Sequence, residues 1–569
     1  MRSRSRSSVV FMCCVTAFSV GSLAFAQVPP ALPPVPASGT PGARPTPMPA
    51  INPVPGQPGW APPKDFSDYL RKYYRVLKVE KTLCKKLSDD RVFVGAPISA
   101  TYELVREDAQ YYYIRNLPIE DPKSPAHREW LKQQVGEVVA QKREEYMRDK
   151  YIIVDQPDIF PPFTDKLDFV AMDAGLPRGG WWQHSFDVAD MNGDGLPDLV
   201  LPPRRVGDGK PSIYLQQKDG AWKRWEAARW PGTPRLDYGT VRVADFNGDG
   251  HPDIAIADHF LPAYVLYGDG KGDFTKIERL PSLNSEVTSQ ALTVADFNGD
   301  GRPDIALEAE LDIQMGIAKR FKSGLVNVLL NLPTGWKALG DDFPTEIFGY
   351  GLTAADFTQD GVPDLALTSR QQGVRTLVFK NLDKGEKWDD IAANQMPFNG
   401  FVYSVASGAL DASPVPDLVA CYQQLNPWQA TTPTQACTIY RFHDEAGKPL
   451  GVPRAELLLK HEEEYNNYLA VAIGDVDGDG RNDIVVVTTK GKVQLLLQFP
   501  DGHFYEQRSP LFDLGEGTMP MDVRIADLNG DGMGEIFVIG SPTDKGHGGG
   551  VWVFSPRLKK GEVKGGAGP

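Results

Sequence analysis

What is scarce in this sequence narrows its chemistry before any motif is read. Cysteine occurs five times in 569 residues, and the eight histidines, at 127, 184, 251, 259, 443, 461, 503 and 547, show no zinc-ligand spacing. No serine stands in a nucleophile-elbow motif, which removes the common hydrolase signature. Beyond the first 26 residues no stretch approaches the roughly 20 apolar residues that a membrane span requires. Basic residues number 60 against 74 acidic ones, a net charge of −14, and no basic stripe of the kind that grips nucleic acid is present.

What is abundant is a short acidic segment that returns along the chain. Asp245-Phe-Asn247-Gly-Asp249-Gly-His-Pro-Asp253 has relatives beginning at Asp190, Asp296, Asp356, Asp475 and Asp527, and an eroded one near Ala409. The seven starts lie 55, 51, 60, 53, 66 and 52 residues apart, the signature of a repeat architecture. Oxygen side chains at positions 1, 3, 5 and 9 converge only if the backbone coils tightly, and the glycine at position 6 permits that. A hard cation with six to eight oxygen ligands suits such a loop, with a main-chain carbonyl at position 7. Calcium is the natural occupant. The spacing begins like an EF-hand, but no helix flanks the loop and no glutamate stands at position 12.

Short apolar strands flank each loop instead. Val241-Arg-Val-Ala and Leu292-Thr-Val-Ala precede it, and Asp253-Ile-Ala-Ile-Ala and Asp483-Ile-Val-Val-Val follow. A third strand comes next in every unit, such as Tyr264-Val-Leu-Tyr or Val551-Trp-Val-Phe, and a fourth after a Gly-rich turn, such as His503-Phe-Tyr-Glu. Four antiparallel strands repeated seven times predict an all-β fold, a seven-bladed β-propeller over 159–557.

These units resemble FG-GAP or VCBS repeats, the calcium-loop blades of integrin α-subunit propellers and of many secreted bacterial proteins. The resemblance covers about 400 of the 569 residues. It implies calcium ligands at Asp190, Asn192, Asp194 and Asp198; at Asp245, Asn247, Asp249 and Asp253; and at Asp296, Asn298, Asp300 and Asp304. The sixth unit supplies Asp475, Asp477, Asp479 and Asp483. Two units depart mildly and are expected to bind more weakly. The fourth has Thr358 beside Asp356, Asp360 and Asp364, and the seventh has Asn529 and Glu535 beside Asp527 and Asp531. In the fifth, Ala409 and Ser413 replace two ligands, only Asp411 and Asp417 remain, and no metal is expected. Four to six calcium ions are therefore expected. The six intact loops hold 19 acidic ligands, more than the whole excess of acid over base, so the acidity is metal chemistry rather than a surface for a basic partner.

Ahead of the repeats, residues 1–26 read as a secretory signal peptide: a basic start at Arg2, Arg4 and Arg6, an apolar core, and Ala24-Phe25-Ala26 before the expected cleavage. Residues 27–63 contain fourteen of the 48 prolines and read as a disordered linker. Residues 64–158 lack the repeat and read as a small α+β region. Phe66, Tyr69, Leu70, Tyr73, Tyr74 and Leu77 recur at helical spacing, and Ser124-Pro125 starts a second helix to about Lys150. Strands are predicted at Arg91-Val-Phe-Val, Ala100-Thr-Tyr-Glu-Leu-Val and Tyr111-Tyr-Tyr-Ile. The seventh unit ends after three strands, so residues near 167–174 are expected to pair with 550–556 and close the ring. A disordered tail is expected over 558–569.

The expected location is secreted, periplasmic or cell-surface, where Cys421 and Cys437 of the fifth unit would form a disulfide and Cys84 stay free. Counting back from each loop to the start of its inner strand gives a possible ligand face: Trp181, Trp182, His184, Tyr238, Tyr350, Tyr403 and Tyr468. Stacking on sugars, gripping a polypeptide, and plain loop packing all fit those positions. The reading is an exported calcium-binding propeller acting in adhesion or binding of protein or polysaccharide. The alternative is a polysaccharide lyase or other carbohydrate-active enzyme on the same scaffold, which would need basic residues and a proton acceptor around the channel.

Overall fold

The structure, a computed structural model, describes residues 76–94, 100–119, 152–154 and 161–562. Within the last range it omits 260–261, 284–288, 310–324, 344–348, 369–376, 391–399, 425–433, 462–465, 509–511, 513, 516 and 544–547. The expected signal peptide, the linker and the helix from Ser124 lie outside the described residues.

Alternation of apolar and polar residues produces a six-stranded sheet in the described part of 64–158, in the order Cys84–Ser88, Arg91–Val94, Ala100–Glu107, Tyr111–Ile119, Val76–Glu80, Ile152–Val154. Its core is Val79, Val92, Val94, Tyr102, Leu104, Tyr112 and Ile114. The helical spacing through Leu77 is corrected here: Leu77 lies in a strand and pairs with Ile114. The β-branched Val76 and Val79 favour the strand, and Phe66, Tyr69, Leu70, Tyr73 and Tyr74 lie outside the described residues. Burial pushes the Cys84 thiol up to about 12, which disfavours the thiolate at neutral pH.

Seven four-stranded units follow in chain order, each antiparallel and each running strand by strand from the innermost outwards. The inner strands are Asp187–Ala189, Val241–Ala244, Ala291–Ala295, Leu352–Ala355, Gly400–Gly408, Tyr468–Gly474 and Thr518–Ala526. The second strand of a blade is buried on both faces, as at Asp198–Leu201 and Asp253–Ile256, so it reads as a continuous apolar run. Each blade packs on the next. Val200 and Ile213 of the first meet Ile254 and Leu266 of the second. Phe357 and Ala366 of the fourth meet Leu418 and Tyr440 of the fifth. The seventh returns to the first, where Phe537, Ile539 and Val551 pack on Phe186, Leu199 and Trp222. This is a β-propeller.

Closure follows the expected register. Leu167–Ala171 supplies the fourth strand of the last blade, pairing Leu167 with Leu558 and Ala171 with Phe554. Just before it, Phe163–Thr164 runs parallel to Phe504–Gln507 and adds a fifth strand to the sixth blade. The expected tail from 558 is corrected at its start. The last strand runs to Leu558, and Lys559 Nζ contacts Asp165 Oδ1 at 2.6 Å, so the chain stays paired through that point. Among the described residues no helix is long and apolar enough to cross a membrane.

Candidate metal centres

Each repeat loop joins the first strand of a blade to its second. In the second blade Asp245 Oδ1 accepts hydrogen bonds from Gly248 N (2.7 Å) and Asp249 N (3.1 Å), and Oδ2 accepts one from Gly250 N (2.8 Å). Asn247 Oδ1 accepts from Asp249 N at 2.8 Å, and Asp249 Oδ1 from His251 N at 2.9 Å. Position 1 thus winds the backbone around its own carboxylate. The winding needs left-handed residues, and Gly248 and Gly250 supply φ of 76° and 84°. The first, third and seventh loops repeat the pattern through Asp190, Asp296 and Asp527. The fourth differs at position 4, where Gln359 takes φ of 56° without being glycine.

Position 9 closes the cage from the second strand. Asp253 Oδ2 accepts from Phe246 N (3.0 Å) and Oδ1 from Gly268 N (2.8 Å), just after the third strand Tyr264–Tyr267. Phe246, at position 2, is buried in the core between the second and third blades, so loop and core are set by one register. Glu535 does the same work in the seventh blade, accepting from Leu528 N at 2.8 Å and from Ser555 Oγ at 2.9 Å.

These position-9 acids are buried, and burial pushes Asp198 up to about 7 and Asp253, Asp304 and Asp364 up to about 6. Backbone donors oppose the rise, and the neighbouring loop carboxylates, Asp245 and Asp249 in the case of Asp253, add to it. A bound dication offsets both burial and repulsion, and an all-oxygen donor set is the chemistry that a hard cation takes. The residues present therefore fit calcium in these loops.

The opposite end of the inner strands gathers aromatic rings. His184 stacks on Tyr238 at 5.2 Å and lies 5.4 Å from Tyr350, joining blades one, two and four. Tyr238 stacks in turn on His259 at 4.5 Å, and the Arg205 guanidinium lies 5.3 Å from the Tyr238 ring centre. The Gln290 amide donates to His184 Nε2 at 2.5 Å. Trp181, three residues before His184, is half-buried. The other aromatics of the expected ligand face are placed differently. Trp182 belongs to the core between blades seven and one, Tyr468 to the core between blades five and six, and Tyr403 is buried with its hydroxyl donating to Gln423 Oε1 at 3.1 Å. Residues at the start of an inner strand point either over the channel or between blades, and these three point between blades.

The FG-GAP-like repeat family matches at residues 204–256, 245–307 and 475–538, which brackets the loops at Asp245, Asp296, Asp475 and Asp527. The chain carries FG-GAP-like repeats. It is 33% identical to integrin alpha-6 of Gallus gallus over 141 residues, 21% of this chain and 13% of the integrin. It is 25% identical to the phosphatidylinositol-glycan-specific phospholipase D of Homo sapiens over 213 residues, 30% of this chain and 24% of that protein. The matched stretches thus span about an eighth and a quarter of those relatives. Among solved structures, BBS1N in complex with ARL6DN aligns with 71% of this chain and 99% of its own, at 11% identity and a TM-score of 0.42.

Two FG-GAP loops contain something that spacing did not reveal. In the fifth, Arg441 Nη1 lies 3.0 Å from both Asp411 Oδ2 and Asp417 Oδ2, with His443 Nε2 at 3.2 and 3.3 Å from the same two acids. A guanidinium already stands among the only acids left, so this loop does not fit a metal. In the sixth, Lys166 Nζ reaches Asp477 Oδ2 at 2.5 Å. Lys380 also approaches the fourth loop, 3.1 Å from Asp360 Oδ2 but partly exposed. Arg441 sits on the third strand of its own blade opposite Asp417, where the register of other units places Leu215, Leu330, Lys380 or Leu497, and that substitution is the signal in the sequence. For Lys166 the signal is weaker: the aspartate at position 3 of the sixth loop, where four sister loops have asparagine.

Cys421 and Cys437 stand directly opposite each other on adjacent strands of the fifth blade and are joined by a disulfide. Both are buried in the core shared with the sixth blade.

Proposed function

We propose that this FG-GAP propeller is an exported, calcium-loaded binding module that recognises a protein or a polysaccharide through its aromatic rim. Its repeats and its similarity to integrin alpha-6 support the reading of an adhesion-type propeller module. The observation that carries the calcium part is the buried position-9 carboxylate, raised chiefly by burial and further by the charge of two other acids held in the same backbone cage. Supporting export, a buried disulfide is stable in oxidising compartments and is unusual in the cytosol.

The two ends of each inner strand then have separate work. The loops fasten the first two strands of a blade, so calcium sets the stiffness of the scaffold. The partly exposed rim residues His184, His259 and Tyr350, gathered around the buried Tyr238, offer aromatic rings and Arg205 a planar cation, a combination that suits sugar faces and peptide side chains alike. The test is elemental analysis of the purified protein together with thermal unfolding in calcium and in chelator. Four to six ions and a marked loss of stability on chelation are expected. No bound calcium and an unchanged transition overturn the reading.

A further inference from the structure

The segment that closes the ring carries a lysine whose side chain enters a repeat loop. Lys166 lies between Phe163–Thr164, which pairs with blade six, and Leu167–Ala171, which pairs with blade seven. Its backbone is fixed there. Lys166 N and Leu167 N both donate to Gln507 Oε1, at 3.0 and 3.1 Å, and Lys166 O accepts from Lys559 N at 3.0 Å. The side chain is 3% exposed, and its Nζ lies 2.5 Å from Asp477 Oδ2 and 4.0 Å from Asp479 Oδ2.

Those acids occupy positions 3 and 5 of the sixth loop. Position 3 is asparagine in loops one, two, three and seven, and the extra aspartate stands in the one of these loops that a buried lysine enters. Lys166 offsets the one acid by which loop six exceeds the three of loops one, two and three, while Arg481 within the loop pairs with Asp479. The lysine engages one oxygen of Asp477. The other, Oδ1, is buried and without a hydrogen-bond partner, and Asp477 converges with Asp475 and Asp483 so that one ligand atom from each lies within 4.8 Å of the others.

We propose that Lys166 is a tethered cation of the sixth FG-GAP loop. It balances the added carboxylate of Asp477, turns the second oxygen towards the metal position, and ties the ring-closing segment to the loop of blade six. The seam between blades six and seven is thereby held by a charge within the chain, in calcium and out of it. Only the role of Oδ1 rests on the calcium reading.

The experiment is a double-mutant cycle of Lys166→Met and Asp477→Asn, followed by thermal unfolding in chelator and in calcium. Breaking a buried pair from one side leaves an uncompensated charge, so Lys166→Met is expected to lower the midpoint by about 4 °C or more in chelator. In the Asp477→Asn background the same change is expected to cost less than half as much. In calcium the Lys166→Met loss shrinks, because the dication offsets the bare carboxylate. Failure of Lys166→Met to fold while the double variant folds supports the pair in the same way as the smaller loss. An equal loss with and without Asp477 overturns the proposal and leaves Lys166 as packing. Absence of calcium from every variant defeats the calcium reading, yet the cycle in chelator still decides for or against the pair.

Discussion

Asn331 Nδ2 donates to the backbone carbonyl of Phe246 at 2.7 Å, so the third strand of blade three holds the second residue of the loop in blade two. The same asparagine gives its backbone N–H to Asp304 Oδ1 of its own loop at 2.7 Å. Asn381 repeats both contacts one blade on, to Phe297 O at 2.7 Å and Asp364 Oδ1 at 2.9 Å. Position 9, the third strand and the preceding blade are thus joined by one residue, through its backbone N–H and its side chain. This couples each loop to the packing of its neighbour.

Replacing Asn331 by alanine leaves the Phe246 carbonyl with only the longer hydrogen bond from Arg302 Nη2 at 3.4 Å. A cost of about 1 kcal/mol is expected for the lost bond. Denaturant unfolding measures it. A change within error would mean that the interblade bond is made equally well by water.

Gln359 is a residue with a side chain at a position where the equivalent glycines, Gly193, Gly248, Gly299, Gly478 and Gly530, have φ between 72° and 76°. Its own φ of 56° places it in the left-handed region. Gln359→Gly is expected to raise stability by about 1 kcal/mol, the relief of a left-handed side-chain clash less the added flexibility of the unfolded chain. A loss of stability would show that the Gln359 side chain makes a compensating contact.

The loops were legible in the sequence because their ligands are local. Asp245, Asn247, Asp249 and Asp253 fall within nine residues, and glycine marks where the backbone must turn left-handed. The strand order and the closure by Leu167–Ala171 followed from counting strands in the seventh unit. The cations were not legible. Arg441 lies 30 residues from Asp411, and Lys166 lies 311 from Asp477, and spacing carries no information at such separations. Nor could it tell His184, which faces Tyr350 over the channel, from Tyr468, which faces the core between blades. Both stand near the start of an inner strand, and direction there depends on how the neighbouring blade packs.

Asp253→Asn tests a metal centre from its buried corner. The amide keeps one oxygen, but its NH2 group must face either Phe246 N or Gly268 N, so one hydrogen bond is lost together with the charge. In calcium the variant is expected to bind one ion fewer by elemental analysis and to lose about 2–3 kcal/mol of ligand-linked stability at 100-fold excess over Kd. In chelator the penalty should be smaller, because the neutral amide no longer repels Asp245 and Asp249.

The metal-free protein should also respond to pH in an unusual direction. Asp198 is raised to about 7 and Asp253, Asp304 and Asp364 to about 6, all above the ordinary range of an unfolded aspartate near 4. Between roughly pH 4 and 7 the folded state therefore holds more protons than the unfolded one, and stability falls as pH rises through that window. In chelator the thermal midpoint is expected to be higher at pH 5 than at pH 8. In calcium the order should reverse, since the ion binds the ionised carboxylates and protons compete with it. The same pH order in both buffers would sever the link between these acids and the metal.

Recognition should be separable from the scaffold at the rim. His184 and Tyr350 contact each other from blades one and four, whereas Tyr468 is enclosed between blades five and six, although all three stand at comparable places in the repeat. Both His184→Ala and Tyr350→Ala should keep the calcium content; Tyr350→Ala should keep the unfolding midpoint near that of the parent, whereas His184→Ala should lower it by removing the acceptor of the buried Gln290 amide. Each should weaken capture on polysaccharide or protein arrays by about tenfold, the loss of roughly 1.4 kcal/mol of contact. Tyr468→Ala should do the opposite, costing about 3–5 kcal/mol of stability as a large core truncation while leaving binding by the folded fraction intact. Equal binding by the rim variants and the parent would move the recognition surface away from the channel mouth, because no other change to these two rings removes so much of the aromatic face at so little expense to the core.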